Sequence, residues 1–335
     1  PTLINLNDLY APIMTRIVLF IVFGEEDYPE ESDEMVMHGS IFSIMEEIKS
    51  LKKHPHIIIA PKLSRLLRLA TPIDNIKRIM ARQQKILRRI IDKRVARGGE
   101  YGQCILDRMI VHNKECKESN DLSNYLDDVK IVGNINMFVF AGSDTSVNGT
   151  KIALCHMADK PDIKSFMDSI NEEIYDKDGV TTQEGIDNNE KLIRWTKETL
   201  RRNNPVTMSG PRVILNDFQL KNYHFKRGDR LMILFTGLNF NDHFFPQPHE
   251  LREERWTKEQ EKSLPRYQHI PFSAGKRVCL GRHLGQLMLR LLVTQFCRHF
   301  AFDKPNDVEY YSEIFLVTKV ANPQVSVSVK PPVCK

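Results

Sequence analysis

Three stretches of this sequence combine residue types that could do chemistry. The first is Phe272-Ser273-Ala274-Gly275-Lys276-Arg277-Val278-Cys279-Leu280-Gly281, directly ahead of a helical pattern. A thiolate that holds a metal in a buried site needs its negative charge compensated, and a helix N-terminus with cations beside it does that. Gly275 permits a tight loop with positive φ, and Gly281 lets the helix pack closely against a flat ligand. Arg277, two residues before Cys279, can reach a carboxylate at the edge of such a ligand, and Phe272 can shield the sulfur from water. On these residues alone a plainer alternative stays open, because a lone cysteine before a helix is more often a buried structural thiol.

The second stretch, Ala141-Gly142-Ser143-Asp144-Thr145, lies inside a long helical pattern. A glycine in a helix interior costs about 1 kcal/mol relative to alanine, so its presence invites a reason. Gly142 could let the helix open beside a bound diatomic ligand, with Asp144 and Thr145 as an acid and a hydroxyl able to pass protons to it. An incidental glycine beside an exposed polar turn is the other reading. The third stretch, Glu198-Thr199-Leu200-Arg201, sets two opposite charges at i, i+3 on one helix face. Most such pairs are solvated and contribute little.

The elements that must carry these residues are mostly helical. Residues 1 to about 205 read as helix after helix, with apolar stripes through Leu6–Phe23 and from Met35 to Leu51. A basic amphipathic stretch follows from Ile73 to Val95, and its polar face carries Lys77, Arg78, Arg82, Lys85, Arg88 and Arg89. That face reads as solvated in preference to a docking surface. The stretch from Ser123 to about Asp159 is periodic and proline-free, stopped by Pro161, and shorter helices are expected from Asp162 to Tyr175 and over Glu190–Arg202. Between 206 and 235 the pattern turns to short alternating runs starting at Arg212, Tyr223 and Arg230, with Gly228-Asp229 as a turn. A last helix is expected from Arg282 to Phe300, and residues 314–330 return to strand-like alternation.

Composition narrows the function classes. A chain 41% apolar and 27% charged has the balance of a globular protein with a sizeable core, and a net charge of +5 over 335 residues does not suggest a nucleic-acid binder. The six cysteines form no C-x-x-C pair, which argues against structural zinc, and a chain this long needs no disulfide scaffold, so a reducing compartment is the default. The longest apolar run, Ile17 to Phe23, is far short of the roughly 20 residues a membrane span needs, and no signal peptide precedes it.

In this order the three stretches resemble the motifs of the cytochrome P450 family. The cysteine loop is similar to F-x-x-G-x-R-x-C-x-G at every fixed position, and 141–145 to [AG]-G-x-[DE]-T. Glu198 and Arg201 stand where the family has E-x-x-R. Leu251-Arg252-Glu253-Glu254-Arg255-Trp256 resembles its F-x-P-x-R-[FW] segment, departing at Leu251 and Glu253 and keeping Arg255. Asn241 to Pro248 looks like D-x-x-x-[FW]-x-x-P, with Asn241 in place of aspartate.

The resemblance implies a mostly α fold with a long central helix and a minor β region. It implies one partial cytochrome P450 domain over 1–335, with a mainly helical part (1–205) and a part holding the small β region, cysteine loop and final helix (206–335). The implied cofactor is haem b, iron protoporphyrin IX, with Cys279 as metal ligand and Phe272, Gly275, Arg277, Gly281, Ala141 and Gly142 around it. Arg212 would pair with a propionate, Asp144 and Thr145 would be catalytic, and Glu198, Arg201 and Arg255 would form a structural triad.

The implied activity inserts one oxygen atom of O2 into an apolar small molecule. Electrons would come from NADPH-cytochrome P450 reductase or another separate donor, and no nucleic acid is involved. A peroxide-rearranging or dehydrating relative and a catalytically inactive fragment are the alternatives; the acid–threonine pair argues against the first. Asn136, Met137, Phe140 and Ala141, Val206 to Ser209, and Thr318 to Val320 are candidates for the substrate pocket. The family's W-x-x-x-R is absent, since neither Trp195 nor Trp256 has arginine four residues on. With Pro1 opening a stretch that reads as helical, the expectation is that an N-terminal β part and a membrane anchor precede it. The whole protein would then sit on the cytosolic face of the endoplasmic reticulum membrane.

Overall fold

The computed structural model describes residues 1–54, 72–99, 101–102, 104–159, 163–175, 182–314 and 317–330. It divides into two compact units, one of Asp8–Asp144 and one of Pro1–Asn7 with Thr145–Lys335.

The first unit is helical: α1 (Leu6–Phe23), α2 (Glu31–Ser50), α3 (Pro72–Arg97), α4 (Ile105–Glu118) and the leading half of α5 (Asp128–Ala158). Ile86, Leu87, Ile90 and Ile91 recur at helical spacing on α3, and they pack with Leu19 and Val22 of α1, Leu106 of α4 and Ile135 of α5. The opposite face of α3 leaves Lys77, Arg82, Lys85 and Arg88 exposed. Although its uninterrupted apolar run is short, α1 as a whole has a mean hydropathy of 1.5 and is long and apolar enough to cross a membrane by length and composition; half of it is buried.

Arg94 at the end of α3 is buried. It donates from Nε to Asp107 Oδ1 of α4 at 2.7 Å and lies 3.3 Å from Asp27 Oδ2, while Nη1 donates to the Gly98 carbonyl at 2.6 Å. Two carboxylates and a carbonyl thus share the desolvated guanidinium, which a single partner would leave undercompensated.

The second unit opens on β1 (Thr2–Asn5) and contains the trailing half of α5, then α6 (Ile163–Ile174), α7 (Gln183–Asn188) and α8 (Glu190–Arg202). After these come β2 (Arg212–Val213), β3 (Phe218–Leu220), β4 (Tyr223–Phe225), β5 (Arg230–Leu231), α9 (Phe235–Asn239), α10 (Lys258–Ser263) and α11 (Arg282–His299). The chain ends on β6 (Phe300–Asp303), β7 (Tyr311–Ile314), β8 (Thr318–Ala321) and β9 (Gln324–Val329). β9 is the middle strand of an antiparallel sheet, with Thr2 of β1 and Phe302 of β6 both opposite Val327. β2 pairs with β5, β3 with β4 and β7 with β8.

Several boundaries depart from the sequence reading. Residues 2–5 are strand, not helix, because the partner that satisfies their backbone lies at the far end of the chain. α5 starts at Asp128 and not at Ser123, because Asp127 Oδ1 accepts the Lys130 amide at 2.8 Å and caps the helix there.

Candidate functional site

Of the five described cysteines, Cys104, Cys116, Cys155 and Cys297 are buried and Cys279 is exposed. Burial pushes the Cys155 and Cys297 thiols up to about 12, which keeps them protonated and inert. The loop around Cys279 folds on its own backbone. The Cys279 amide donates to the Phe272 carbonyl at 2.9 Å and the Val278 amide to Gly275 at 3.1 Å, and the Arg282 amide at the start of α11 donates to the Cys279 carbonyl at 3.3 Å. Gly275 takes φ +71° to make this turn, and Ser273, a position the sequence did not single out, takes +64°. A Cβ at Gly285 would lie 3.4 Å from Phe272 Cε1, so this glycine seats the Phe272 ring against α11. Val278 and Leu280 are 39% and 83% exposed. Gly281, the residue before α11, and Arg277 are exposed as well, as is Arg212, whose strand pairs it with Leu231.

α5 runs unbroken through 141–145. Ala141 is exposed, Ser143 and Asp144 are buried, and Thr145 is half-buried. A Cβ at Gly142 would fall 3.1 Å from Val18 Cγ2, so the glycine allows α1 to approach α5 closely, a packing reason the sequence did not reveal. Residues 141–144 belong to the first unit and the cysteine loop to the second.

Glu198, Arg201 and Arg255 converge in the second unit. α8 is capped by Asn189, whose Oδ1 accepts the Leu192 amide at 2.7 Å, and its acidic first turn and basic last turn complement the helix dipole. Arg201 is fully buried and donates twice to Glu198, from Nε at 2.9 Å and from Nη2 at 2.8 Å. Its remaining N–H groups reach the carbonyls of Asn239 (2.9 Å), Pro248 (2.9 Å) and Glu250 (3.1 Å). Arg255 Nε lies 3.4 Å from Glu198 Oε1, and its Nη2 donates to the Gln247 carbonyl at 2.8 Å.

Three further participants escaped the sequence reading. Trp256 Nε1 donates to Glu198 Oε2 at 3.0 Å, the Arg252 amide donates to Glu198 Oε1 at 2.9 Å, and the buried Phe245 ring lies 5.3 Å under the Arg201 guanidinium. Trp256 adjoins Arg255, which was the available signal. Elsewhere in this unit, the Thr318 amide donates to the Pro205 carbonyl at 2.7 Å and the Ser209 amide to Ile233 at 2.8 Å. The first bond brings Pro205 beside the start of β8, and the second ties Ser209 to the residues after β5.

Comparison with known proteins points to one family. The family model described as Cytochrome P450 matches residues 1–330. Guinea-pig (Cavia porcellus) cytochrome P450 3A15 is 26% identical over 195 residues, 58% of this chain and 38% of that protein. Rainbow trout (Oncorhynchus mykiss) cytochrome P450 2K1 is 26% identical over 254 residues, 75% of this chain and 48% of the relative. The matched regions thus span less than half of these curated relatives. Among solved structures, the retinoic acid-bound cyanobacterial CYP120A1 superposes with a TM-score of 0.82 at 17% identity, covering 98% of this chain and 70% of that one. The cytochrome P450DA heme domain gives 0.78 at 16% identity, covering 99% and 69%.

Proposed function

The chain belongs to the cytochrome P450 family and has its fold, and on that premise we propose that it is the haem-binding part of a haem-thiolate monooxygenase. The reaction would insert one oxygen atom of O2 into an apolar organic substrate, with electrons from NADPH-cytochrome P450 reductase or another separate donor. The observation that carries this reading is the cysteine loop. It presents the one exposed thiol among the described cysteines, on a turn hydrogen-bonded to the start of an 18-residue helix.

The donor set suits haem b. Among the described residues no three His, Cys, Asp or Glu side chains gather to hold a bare metal ion. A metal at Cys279 must therefore bring its other ligands with it, as a porphyrin does. Val278 and Leu280 offer apolar surface for such a plane, and Arg277 and Arg212 offer guanidiniums for its two carboxylates. Haem bound through a thiolate supplies dioxygen activation and O–O cleavage.

The chain's own residues supply the rest. Cys279 would hold the haem iron through its thiolate, and the N-terminal dipole of α11 with Arg277 would offset the charge of its sulfur. Phe272, seated on Gly285 and with its carbonyl accepting the Cys279 amide, would set an apolar ring beside the loop. Asp144, buried on α5, and Thr145 beside it hold a carboxyl and a hydroxyl through which protons can pass. That pair supports oxygen-dependent chemistry over peroxide rearrangement, which needs no proton delivery. Val206 to Ser209 and Thr318 to Val320, mostly apolar or small, suit a lipid-like substrate. The whole protein would sit on the cytosolic face of the endoplasmic reticulum membrane.

The test is the absorption spectrum of the reduced, carbon monoxide-bound chain after haem loading. A strongly red-shifted Soret band that disappears in Cys279→Ala is the expected result. A haem spectrum unchanged by that substitution would overturn the reading, because another residue would then hold the iron.

A further inference from the structure

Beside the cysteine loop, α8, the 266–275 segment and the first turns of α11 border a cavity of about 610 Å3. Its walls are apolar at Ile193, Leu200, Phe272 and Leu289, and four cationic side chains, Lys197, Arg266, Arg282 and Arg290, reach its lining with no Asp or Glu among them. Two of the four are already satisfied: Lys197 donates to Glu261 at 2.6 Å and Arg290 to Asp187 at 2.9 Å.

The other two meet no carboxylate among the described residues. The Arg266 guanidinium lies 4.7 Å from the ring centre of Tyr267, and Arg282 Nη2 contacts only the ring nitrogen of His283, at 3.2 Å. His269, also in the lining, stacks on Trp256 at 4.4 Å and has a buried Nε2 with no hydrogen-bond partner. A buried polar nitrogen without a partner is costly, and it invites a ligand atom.

We propose that this cavity binds a small amphipathic anion, an apolar body carrying one sulfonate, phosphate or carboxylate group, with the anionic group held by Arg266 and Arg282. A concave volume of this size, walled by apolar and cationic side chains together, suits a small molecule with both characters. Guanidiniums without a carboxylate partner suit oxyanions because their N–H groups match the geometry of two oxygens at once. Phe272, Gly275 and Val278 of the cysteine loop line the cavity but Cys279 does not, so the two sites adjoin and the Cys279→Ala variant tells them apart.

The experiment is calorimetric titration of the purified chain with naphthalene-2-sulfonate, and with naphthalene-2-sulfonamide as its neutral counterpart. The sulfonate is expected to bind about tenfold or more tightly than the sulfonamide. Arg266→Glu with Arg282→Glu should weaken it by at least about another tenfold, while Arg82→Glu on α3 and Cys279→Ala leave it unchanged. Both arginines are exposed, so the variants should fold; should the double variant not, Arg266→Gln read alone must still weaken the sulfonate selectively. Equal affinity for the two probes, no effect of the arginine substitutions, or loss of binding in Cys279→Ala would each overturn the proposal. The last outcome would place the sulfonate at the haem-side surface and leave the haem reading standing.

Discussion

Arg201 spends every N–H it has. Five donors meet two carboxylate contacts and three carbonyls, with no exposure to water to replace any of them. The arrangement needs a planar fork, which lysine lacks. Arg201→Lys should therefore destabilise the chain by about 1–3 kcal/mol, since carbonyls lose partners while the charge is kept. Glu198→Gln should cost more, about 3–5 kcal/mol, because it leaves two buried guanidiniums without a counter-charge. Removing the exposed Lys258–Glu190 pair should cost less than either, because water screens it. Denaturant unfolding of the three variants checks the ordering; a Glu198→Gln no worse than the surface pair would show that the buried charges are compensated elsewhere. Sequence spacing could place Glu198 over Arg201 on one helix face. It could not foresee the Asn239, Pro248 and Glu250 carbonyls, because chain-distant backbone partners leave no local pattern.

The helices were legible wherever their own periodicity decided them, as with α1 and α8, whose limits are those the sequence predicts. Where a distant partner decides, the reading fails. β1 and β6 exist through β9, and Phe300, which continues the α11 pattern, is drawn into β6 opposite Val329. Glycines separate the two situations sharply. Gly133 is exposed in the interior of α5, and a Cβ there would touch nothing within 4 Å, so Gly133→Ala should raise stability by about 1 kcal/mol through helix propensity alone. Gly185 lies in the first turn of α7, and a Cβ there would sit 2.6 Å from the Ile174 carbonyl oxygen, a backbone atom that cannot swing aside. Gly185→Ala should cost about 1–3 kcal/mol despite the same nominal gain in propensity. Thermal midpoints moving in opposite directions would support this; parallel shifts would show that propensity, not packing, governs both sites.

At the scale of the whole molecule, two histidines couple stability to acid. Burial holds His156 down to about 4, helped by the nearby Arg202 charge, and His269 down to about 3, helped by Lys197. The unfolded chain takes up protons on both near pH 6.5, and the folded chain does not. The stability that neutral imidazoles contribute is thus fully present above about 6.5 and is lost as pH falls toward 4 and below, with the unfolded state binding up to two more protons. General acid expansion of a chain already at +5 runs in the same direction, so the slope alone does not identify the cause. Salt separates them. Repulsion between surface charges is screened within roughly 10 Å at 0.1 M salt, whereas the cost of charging a buried ring is not. The steep loss of stability between pH 6.5 and 4 should therefore persist in high salt and should flatten by up to two protons in the His156→Gln, His269→Gln double variant. A slope abolished by salt and indifferent to those substitutions would mean that neither imidazole is held neutral by the fold.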